Sequence, residues 1–176
     1  MSKWSATGSS DIHFDTDRTH VIAGNSSVQK IVIDSRTQSL TLLKGTELVF
    51  AAPVSTSRFG LGFENGSRKT PTGKFRIHEK IGGEMPIGTV FKGRKPVTAP
   101  VDWSQEPDLV TSRILWLDGL EEENARTKER YIYIHGTNHE QSIGEPASGG
   151  CIRMRNVDVV RLFDQVEVGT LVEIIG

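Results

Sequence analysis

Residues 30–51 read KIVID-SRTQ-SLTLL-KGT-ELVFA and contain three short apolar runs, at 30–34, 39–43 and 47–51. Polar, turn-prone residues separate these runs. Runs rich in β-favouring residues at this spacing are typical of antiparallel hairpins. The segment therefore predicts a β-meander with one buried face, and it indicates that the domain is mainly β.

Outside this meander, the apolar pattern indicates further short strands. They are predicted at 74–77, 114–117, 131–135 and 170–175. The remainder of the region 79–127 is rich in glycine, proline and acidic residues, which predicts a long loop around a single core strand. Long ordered loops often lie over functional sites, although a surface insertion without a role fits the same composition.

The two ends of the chain differ in character. Residues 1–27 contain many serines and predict a loosely structured N-terminal extension that adds at most one strand, whereas 28–176 form the folded domain. Near the other end, a helix is predicted over 156–165, with Asn156 as its N-cap. The apolar residues expected along one face of this helix are Val157, Val160 and Phe163.

Composition excludes several classes of protein. The 176 residues include 21 Lys and Arg and 22 Asp and Glu, a formal net charge of −1. A protein that binds nucleic acid needs a surplus of basic residues, so that partner is not expected. No apolar run approaches the roughly 20 residues of a membrane-spanning helix. The absence of an export signal predicts a cytoplasmic protein, or a periplasmic or cell-wall protein if a leader was removed.

The segment 131–135, Tyr-Ile-Tyr-Ile-His, reads as a strand that ends at a glycine. Because side chains alternate along a strand, Ile132 and Ile134 are expected to point into the core. His135 would then lie on the opposite, more polar face, at the mouth of a loop. This position suits an imidazole that forms a hydrogen bond or transfers a proton.

Cys151 is the only cysteine, and it follows two glycines in the run Pro146-Ala-Ser-Gly-Gly-Cys151. A single thiol excludes an intrachain disulfide and any multi-cysteine zinc or iron–sulfur site. A nearby imidazole can accept the thiol proton and so produce a nucleophilic thiolate. The backbone amides of Gly150 and Cys151 are then candidates for an oxyanion hole. Together with His135, these residues favour acyl transfer by a cysteine–histidine pair.

Other interpretations of these residues stay open. A lone cysteine is often a small buried apolar residue, and a histidine at a strand end is often only a hydrogen-bonding group. A metal site is the third option, formed by residues that lie within one segment: His135, His139, Glu140 and Cys151. The His-Glu-x-x-His pattern is absent, however, and the glycine after the first histidine favours a turn over a helix.

Several motifs resemble those of one known family. His135-Gly-Thr-Asn138 and Ser148-Gly-Gly-Cys-Ile-Arg-Met154 are together similar to the signature of the YkuD-type L,D-transpeptidase catalytic domain. Thr70-Pro-Thr-Gly73 resembles the Thr-Pro-x-Gly turn of that family, and Val168-Gly-Thr-Leu-Val172 resembles its closing strand. The resemblance covers about residues 28–175 and implies a β-sandwich-like fold with one or two short helices.

The resemblance also implies a reaction. Members cleave the bond between the L-centre of the third stem residue and D-alanine in peptidoglycan tetrapeptides, through a cysteine acyl-enzyme and without a cofactor or metal. Cys151 would be the nucleophile, His135 the base and Gly150 an oxyanion donor, and the partner would be a stem peptide or muropeptide. The implied substrate-binding residues are Gly136, Ser148, Gly149 and Arg153, the last facing a substrate carboxylate.

One position departs from the family pattern. Many members carry Ser-His-Gly-Cys, whereas this chain has Gly149 where that histidine would stand. No role of that histidine can be assigned here, and the backbone carbonyl of Gly136 becomes the candidate for orienting His135. The departure also keeps open a peptidoglycan-binding module that has lost turnover.

The resemblance leaves two acyl acceptors. An amine acceptor gives a cross-link or a D-amino-acid exchange, and water gives L,D-carboxypeptidase activity. The runs 131–136, Tyr-Ile-Tyr-Ile-His-Gly, and 146–151, Pro-Ala-Ser-Gly-Gly-Cys, resemble members of the family without an export signal, and the run 111–119, Thr-Ser-Arg-Ile-Leu-Trp-Leu-Asp-Gly, supports the same subgroup. A cytosolic enzyme meets no assembled wall, so its task would be to trim recycled tetrapeptides to tripeptides.

Overall fold

Antiparallel hairpins open the described part of the chain, as residues 30–51 predict. The computed structural model describes residues 28–104 and 108–176. Its first strands are β1 (Gln29–Asp34), β2 (Ser39–Lys44) and β3 (Glu47–Pro53), which pair in that order. The N-terminal extension predicted for 1–27, with its single candidate strand, lies outside the described residues.

The remaining described elements extend this meander into a larger sheet. They are β4 (Gly73–Ile81), β5 (Val90–Lys92), β6 (Lys95–Pro96), β7 (Val110–Gly119), β8 (Tyr133–Gly136), a 3₁₀ helix (Glu140–Ser142), β9 (Ile152–Met154), α1 (Asn156–Gln165) and β10 (Leu171–Ile175). The strands hydrogen-bond in the order β3-β2-β1-β10-β4-β7-β5-β6, and β8 and β9 branch from β7. The mainly β fold with a short helix is confirmed.

One apolar core joins distant parts of the sheet. β10 pairs in parallel with β1 and antiparallel with β4, so the last strand closes the sheet between the first hairpin and the middle strands. Side chains from both regions and from α1 share this core, among them the buried residues Ile33, Phe75, Ile134, Ile152 and Leu162. The branch that carries β8 and β9 is thereby packed firmly against the rest of the domain.

The region 79–127 holds more strand than predicted. β4 runs on to Ile81, β5 and β6 form a small hairpin, and β7 is ten residues long. The short apolar run at 114–117 is only the middle of β7, because polar residues at its ends also pair with neighbouring strands. Thr111, for example, is fully buried between β5 and β8.

The strand that carries His135 is shorter than predicted, because Tyr131 lies before β8 with a φ of 55°. Ile132 and Ile134 are buried in the core, as the alternation predicts. The expectation that His135 lies on an open polar face is wrong, since the residue is only 2% exposed. β8 lies between β7 and β9, and α1 packs against it, so the histidine is enclosed by protein on several sides.

α1 begins at Asn156, but the prediction that this residue is the N-cap is wrong. Arg155 occupies the N-cap position with extended backbone, and its side chain makes no capping hydrogen bond. The Asn156 side chain instead turns inward, which fixes the rotation of the helix. Among residues 28–104 and 108–176, no helix has the length and apolarity to cross a membrane.

The buried face of α1 also differs from the predicted one. Val159, Leu162 and Phe163 are buried, together with Asn156, whereas Val157 is 50% exposed. Residues three and seven positions apart lie on one side of a helix. Because Asn156 points inward, Val157 is rotated about 100° away from the core.

Candidate active site

The pairing of β8 with β9 brings His135 and Cys151 together. The two strands are parallel neighbours, and their register places His135 beside Arg153. Cys151 precedes β9 by one residue and lies beside Tyr133, whose backbone N–H donates to Sγ at 3.4 Å. Because side chains alternate along a strand, the thiol and the imidazole project from the same face of adjacent strands.

The Cys151 thiol contacts the backbone of the chain that enters β8. Sγ donates a hydrogen bond to the Tyr131 carbonyl oxygen at 3.3 Å. The left-handed backbone of Tyr131 turns the chain just before β8. The two backbone partners of the sulfur, the Tyr131 carbonyl and the Tyr133 N–H, lie at this turn and at the first residue of the strand. Among the residues that the structure describes, no hydrogen bond joins the thiol to the His135 imidazole.

The His135 ring is held by the residue that follows it. Nδ1 lies 2.6 Å from the Gly136 carbonyl oxygen, which is the contact expected from the sequence. A carbonyl oxygen only accepts hydrogen bonds, so Nδ1 must carry the ring proton. The lone pair of the neutral imidazole is therefore on Nε2, and Nε2 is the atom that can accept a proton.

Burial keeps both groups uncharged at neutral pH. It raises the pKa of the Cys151 thiol to about 11, and the Tyr133 amide opposes this only in part. Burial also lowers the pKa of His135, against the smaller opposing effects of the Gly136 carbonyl and the Asp108 carboxylate. The resting pair is therefore a neutral thiol and a neutral imidazole, not a thiolate–imidazolium ion pair.

This resting state predicts how the thiol reacts with iodoacetamide. The alkylation rate of Cys151 should rise about tenfold per pH unit from pH 7 and should level off only near the thiol pKa of about 11. A short unstructured peptide with one cysteine and blocked ends, with an ordinary thiol pKa of about 8.5, serves as the reference and levels off earlier. The rate is followed by mass spectrometry, and a plateau between pH 6 and 9 would show an ion pair instead.

Ser148 and Thr70 brace the turn that carries the thiol. Ser148 Oγ donates to the Cys151 carbonyl at 2.6 Å and accepts the Gly150 N–H at 3.2 Å. Thr70 Oγ1 donates to the Gly150 carbonyl at 2.9 Å, and Gly150 has a φ of 128°, which favours glycine. Ser148 is buried and its hydroxyl holds the backbone of this turn, and the contact with substrate that the resemblance implied stays a prediction.

Gly136 is also a positioning residue in this structure. It is buried, and a Cβ at this position would lie 2.5 Å from Asn156 Oδ1 and 2.7 Å from the Thr111 carbonyl oxygen. A side chain therefore does not fit. Its carbonyl contacts His135 Nδ1, and the contact with substrate that the resemblance implied stays a prediction.

Asn156 secures this region through a buried polar network. Its Oδ1 accepts hydrogen bonds from the Thr111 hydroxyl at 2.6 Å and the Ser112 hydroxyl at 2.5 Å. Its Nδ2 donates to the Thr137 carbonyl at 3.0 Å and to the Glu140 carboxylate at 2.7 Å. β7, the end of β8, the 3₁₀ helix and α1 are thus tied together next to the histidine.

Arg153 is paired within the protein. It is 6% exposed, and Nη2 donates to the Asp108 carboxylate. Its Nε has no hydrogen-bond partner among the described residues. Asp108 is thus the carboxylate that Arg153 contacts in this structure, and the contact with a substrate carboxylate that the resemblance implied stays a prediction. Arg153 also lines a cleft of about 230 Å³, together with Arg58 and His139.

Gly149 lies in a second cleft, of about 290 Å³, on the Tyr131 side of the thiol. A Cβ at position 149 would lie 3.3 Å from Nη2 and 3.6 Å from Nε of Arg68. The Arg68 guanidinium therefore stands next to the position where the family resemblance expects a histidine. Arg130 lines the same cleft.

The alternative roles of the cysteine and the histidine can be compared with this geometry. Within residues 28–104 and 108–176, no three His, Cys, Asp or Glu side chains are arranged to hold a metal ion. Cys151 does pack against a small apolar cluster that includes Tyr133 and Ile114, yet it keeps part of its surface exposed. A cysteine that only packs and a histidine that only forms a hydrogen bond need not lie on the same face of adjacent strands. The shared face therefore favours a joint role of the two residues.

Comparison with known proteins identifies the family. A profile of the YkuD family, the L,D-transpeptidase catalytic domain, matches residues 28–174. The chain belongs to this family. The match runs from the start of β1 almost to the end of β10 and so includes every element that positions the site.

Curated relatives match over a shorter segment. The Putative L,D-transpeptidase YqjB of Bacillus subtilis is 54% identical over 46 residues, which are 26% of this chain and 26% of the relative. The Probable L,D-transpeptidase ErfK/SrfK of Escherichia coli is 56% identical over 46 residues, 26% of this chain and 15% of the relative. The matched segment thus spans about a quarter or less of the length of these relatives.

Solved structures show the same fold. An L,D-transpeptidase from Xylanimonas cellulosilytica superposes with a TM-score of 0.55 at 21% identity, covering 85% of this chain and 61% of that one. The L,D-transpeptidase LdtMt1, solved in complex with imipenem, gives a TM-score of 0.54 at 20% identity, covering 84% of this chain and 59% of that one. The chain is thus similar in fold to about three fifths of each of these proteins.

Sequence reasoning missed three residues that the structure places around the site. Asp108 pairs with Arg153, and Arg68 and Arg130 line the cleft at Gly149. None of them stands in a motif that marks such a contact, since each meets its partner across a large separation in sequence. Thr70 lies in the Thr-Pro-x-Gly turn, which located the segment but not its bond to Gly150.

Proposed function

We propose that this protein is a cysteine acyltransferase that acts on peptidoglycan tetrapeptides. It cleaves the bond between the L-centre of the third stem residue and D-alanine, and it transfers the acyl group to an amine. The observation that carries the proposal is the His135 ring, fixed by the Gly136 carbonyl with Nε2 as its acceptor, on the strand beside Cys151. Membership of the YkuD family supports the same class of reaction.

The first step forms a thioester. The Cys151 thiol turns from the Tyr131 carbonyl toward His135, and its proton moves to Nε2 as sulfur attacks the peptide carbonyl carbon. The backbone amide of Cys151 donates to the oxyanion, and the Gly150 amide joins it once it leaves Ser148 Oγ. The proton on Nε2 then passes to the departing nitrogen, the C–N bond breaks, and D-alanine leaves as an amine.

The second step releases the acyl group. An acceptor amine attacks the thioester carbonyl, His135 Nε2 takes its proton, and the C–S bond breaks. The proton returns from Nε2 to sulfur, which restores the neutral thiol and imidazole. Both charged forms exist only while substrate covers the site, and this agrees with the neutral resting pair that burial favours.

The acceptor is tested by product analysis. The protein is incubated with a disaccharide-tetrapeptide, with and without an added D-amino acid, and the products are separated by chromatography and identified by mass. We expect a new tetrapeptide that contains the added D-amino acid, together with free D-alanine. Tripeptide and D-alanine alone in both reactions would show water as the acceptor, the L,D-carboxypeptidase reaction, and would contradict the amine acceptor.

A carbapenem tests whether the thiol forms an acyl-enzyme at all. After incubation with imipenem, mass spectrometry of the intact protein should show one adduct, and peptide mapping should place it on Cys151. A chain that binds tetrapeptide but forms neither adduct nor product would be a peptidoglycan-binding module, and the acyltransferase proposal would then be wrong.

A further inference from the structure

Arg68 presents an unpaired guanidinium in the cleft at Gly149. Its Cζ lies 4.7 Å from the centroid of the Phe59 ring, which supports the flat face of the group. Within residues 28–104 and 108–176, the guanidinium makes no ion pair and no hydrogen bond. A guanidinium offers parallel N–H donors that match the two oxygens of a carboxylate. The described protein thus leaves these donors available to a ligand.

The backbone of Arg68 is held in an unusual conformation. Its φ is 61°, in the left-handed region that residues other than glycine seldom adopt. The Ser57 hydroxyl donates to the Arg68 carbonyl at 2.5 Å, and this contact helps to hold the conformation. Backbone strain of this kind persists where the surrounding structure enforces it, and it is frequent at ligand sites.

Arg130 fixes the loop that carries Arg68. Its Nη1 donates to the Gly62 carbonyl at 3.1 Å, and its Nη2 donates to the Lys69 carbonyl at 2.7 Å and to Ser67 Oγ at 3.4 Å. These contacts span both sides of the loop, so the backbone that carries Arg68 is held in place. Arg130 is therefore a positioning residue for this loop.

The cleft adjoins the thiol. Its lining includes Gly149, two residues before Cys151, and Tyr131, whose carbonyl accepts the thiol hydrogen. The one carboxylate in the lining, Glu129, lies 3.5 Å from Arg126 and is partly neutralised by it. The cleft is thus positively charged overall and lies beside the residue whose carbonyl contacts the thiol.

We propose that Arg68 binds a carboxylate of the substrate in this cleft. The inference rests on the proposed function, because a stem tetrapeptide has two such groups near the scissile bond. One is the free carboxylate of its C-terminal D-alanine, and the other is a side-chain carboxylate on its third residue. Gly149 is part of the site, since any side chain at that position would contact the guanidinium.

Arg68→Gln tests the proposal with three tetrapeptides. The first has diaminopimelate at its third position and a free C-terminus, the second has a C-terminal amide, and the third has lysine at its third position. Relative to wild type, R68Q should lower kcat/KM for the first peptide about tenfold or more, mainly through KM. For one of the other two peptides, the one that lacks the contacted carboxylate, R68Q should change kcat/KM by less than about twofold. That peptide identifies which carboxylate Arg68 binds.

Controls separate this contact from general effects. Arg161→Gln removes the same charge from the exposed side of α1, outside the site, and should leave kcat/KM for all three peptides unchanged. The iodoacetamide rate of Cys151 and the melting temperature report whether R68Q keeps the site folded. Arg68→Lys keeps the charge without the paired donors and should give an intermediate loss. An equal loss on all three peptides, or no loss on any, would overturn the proposal.

Binding to an inactive variant distinguishes this proposal from the proposed reaction. Cys151→Ala is titrated with the first peptide by calorimetry, and so is the C151A/R68Q double variant. We expect binding that weakens about tenfold or more when Arg68 is replaced. If this difference is seen while wild type shows no turnover, the carboxylate site stands and the reaction is wrong. If the two variants bind equally, the carboxylate site is wrong whatever the turnover.

Discussion

Cys151→Ala is expected to reduce the rate of D-alanine release from tetrapeptide at least about 10⁴-fold. The substitution removes the atom that attacks the peptide carbonyl, and the structure offers no second thiol because Cys151 is the only cysteine of the chain. The residual rate would come from binding and oxyanion contacts alone. Release of D-alanine is measured by a coupled D-amino-acid oxidase assay.

The loss of D-alanine release in C151A has to be distinguished from a loss caused by unfolding. Sγ makes two hydrogen bonds to the backbone, at 3.3 and 3.4 Å, and sulfur is a weak donor and acceptor, so C151A should lower the free energy of unfolding by only about 1 kcal/mol. Cys151→Ser keeps a donor and an acceptor in place and should fold like wild type while it stays nearly inactive. Wild-type activity in either variant would show that the nucleophile is another group.

Asn156→Ala should destabilise the fold by about 3–4 kcal/mol. The side chain makes four hydrogen bonds in a buried network, and its loss leaves the Thr111 and Ser112 hydroxyls and the Thr137 carbonyl without that partner. The Glu140 carboxylate would keep only the Asn156 backbone N–H. Urea denaturation followed by circular dichroism gives the free energy of unfolding.

Asn65→Ala is the matched control for this prediction. It makes the same chemical change at an exposed position, and it should alter the free energy of unfolding by less than about 0.5 kcal/mol. Asn156 also packs on Gly136, whose carbonyl holds His135, so N156A should lower kcat even under conditions where the protein stays folded. Equal stability of N156A and N65A would contradict the network described above.

Local sequence patterns were sufficient to predict the strands of the first hairpins. Residues 30–51 have an apolar period of two between turn signals, and they form β1, β2 and β3 as predicted. β7 was underestimated because its ends carry polar residues such as Thr111, which only their pairing partners bury. The buried face of α1 was assigned wrongly because Asn156, a polar residue, turned out to anchor the helix.

In the candidate site, too, local motifs predicted some features, and others depended on partners that are distant in the sequence. Cys151 and His135 could be selected from the sequence because they stand in a strong motif, and the Gly136 carbonyl could be named because it is the adjacent group. Ser148 and Arg153 were expected to meet substrate. In the structure the Ser148 hydroxyl bonds to the Cys151 turn and Arg153 Nη2 bonds to Asp108, whereas Arg153 Nε has no partner among the described residues. A motif preserves the identity of a residue, but it does not state which partners are present in this chain.

By itself, the sequence determined the fold class and the family, and it singled out the pair of residues that we propose to carry the chemistry. These properties depend on local periodicity and on a compact motif, and both can be read along the chain. Only the tertiary structure shows in which direction the pKa values of Cys151 and His135 shift, because these shifts depend on burial by distant segments. Only the tertiary structure shows that Arg68 lies next to Gly149, since the two residues belong to segments that are distant in the sequence.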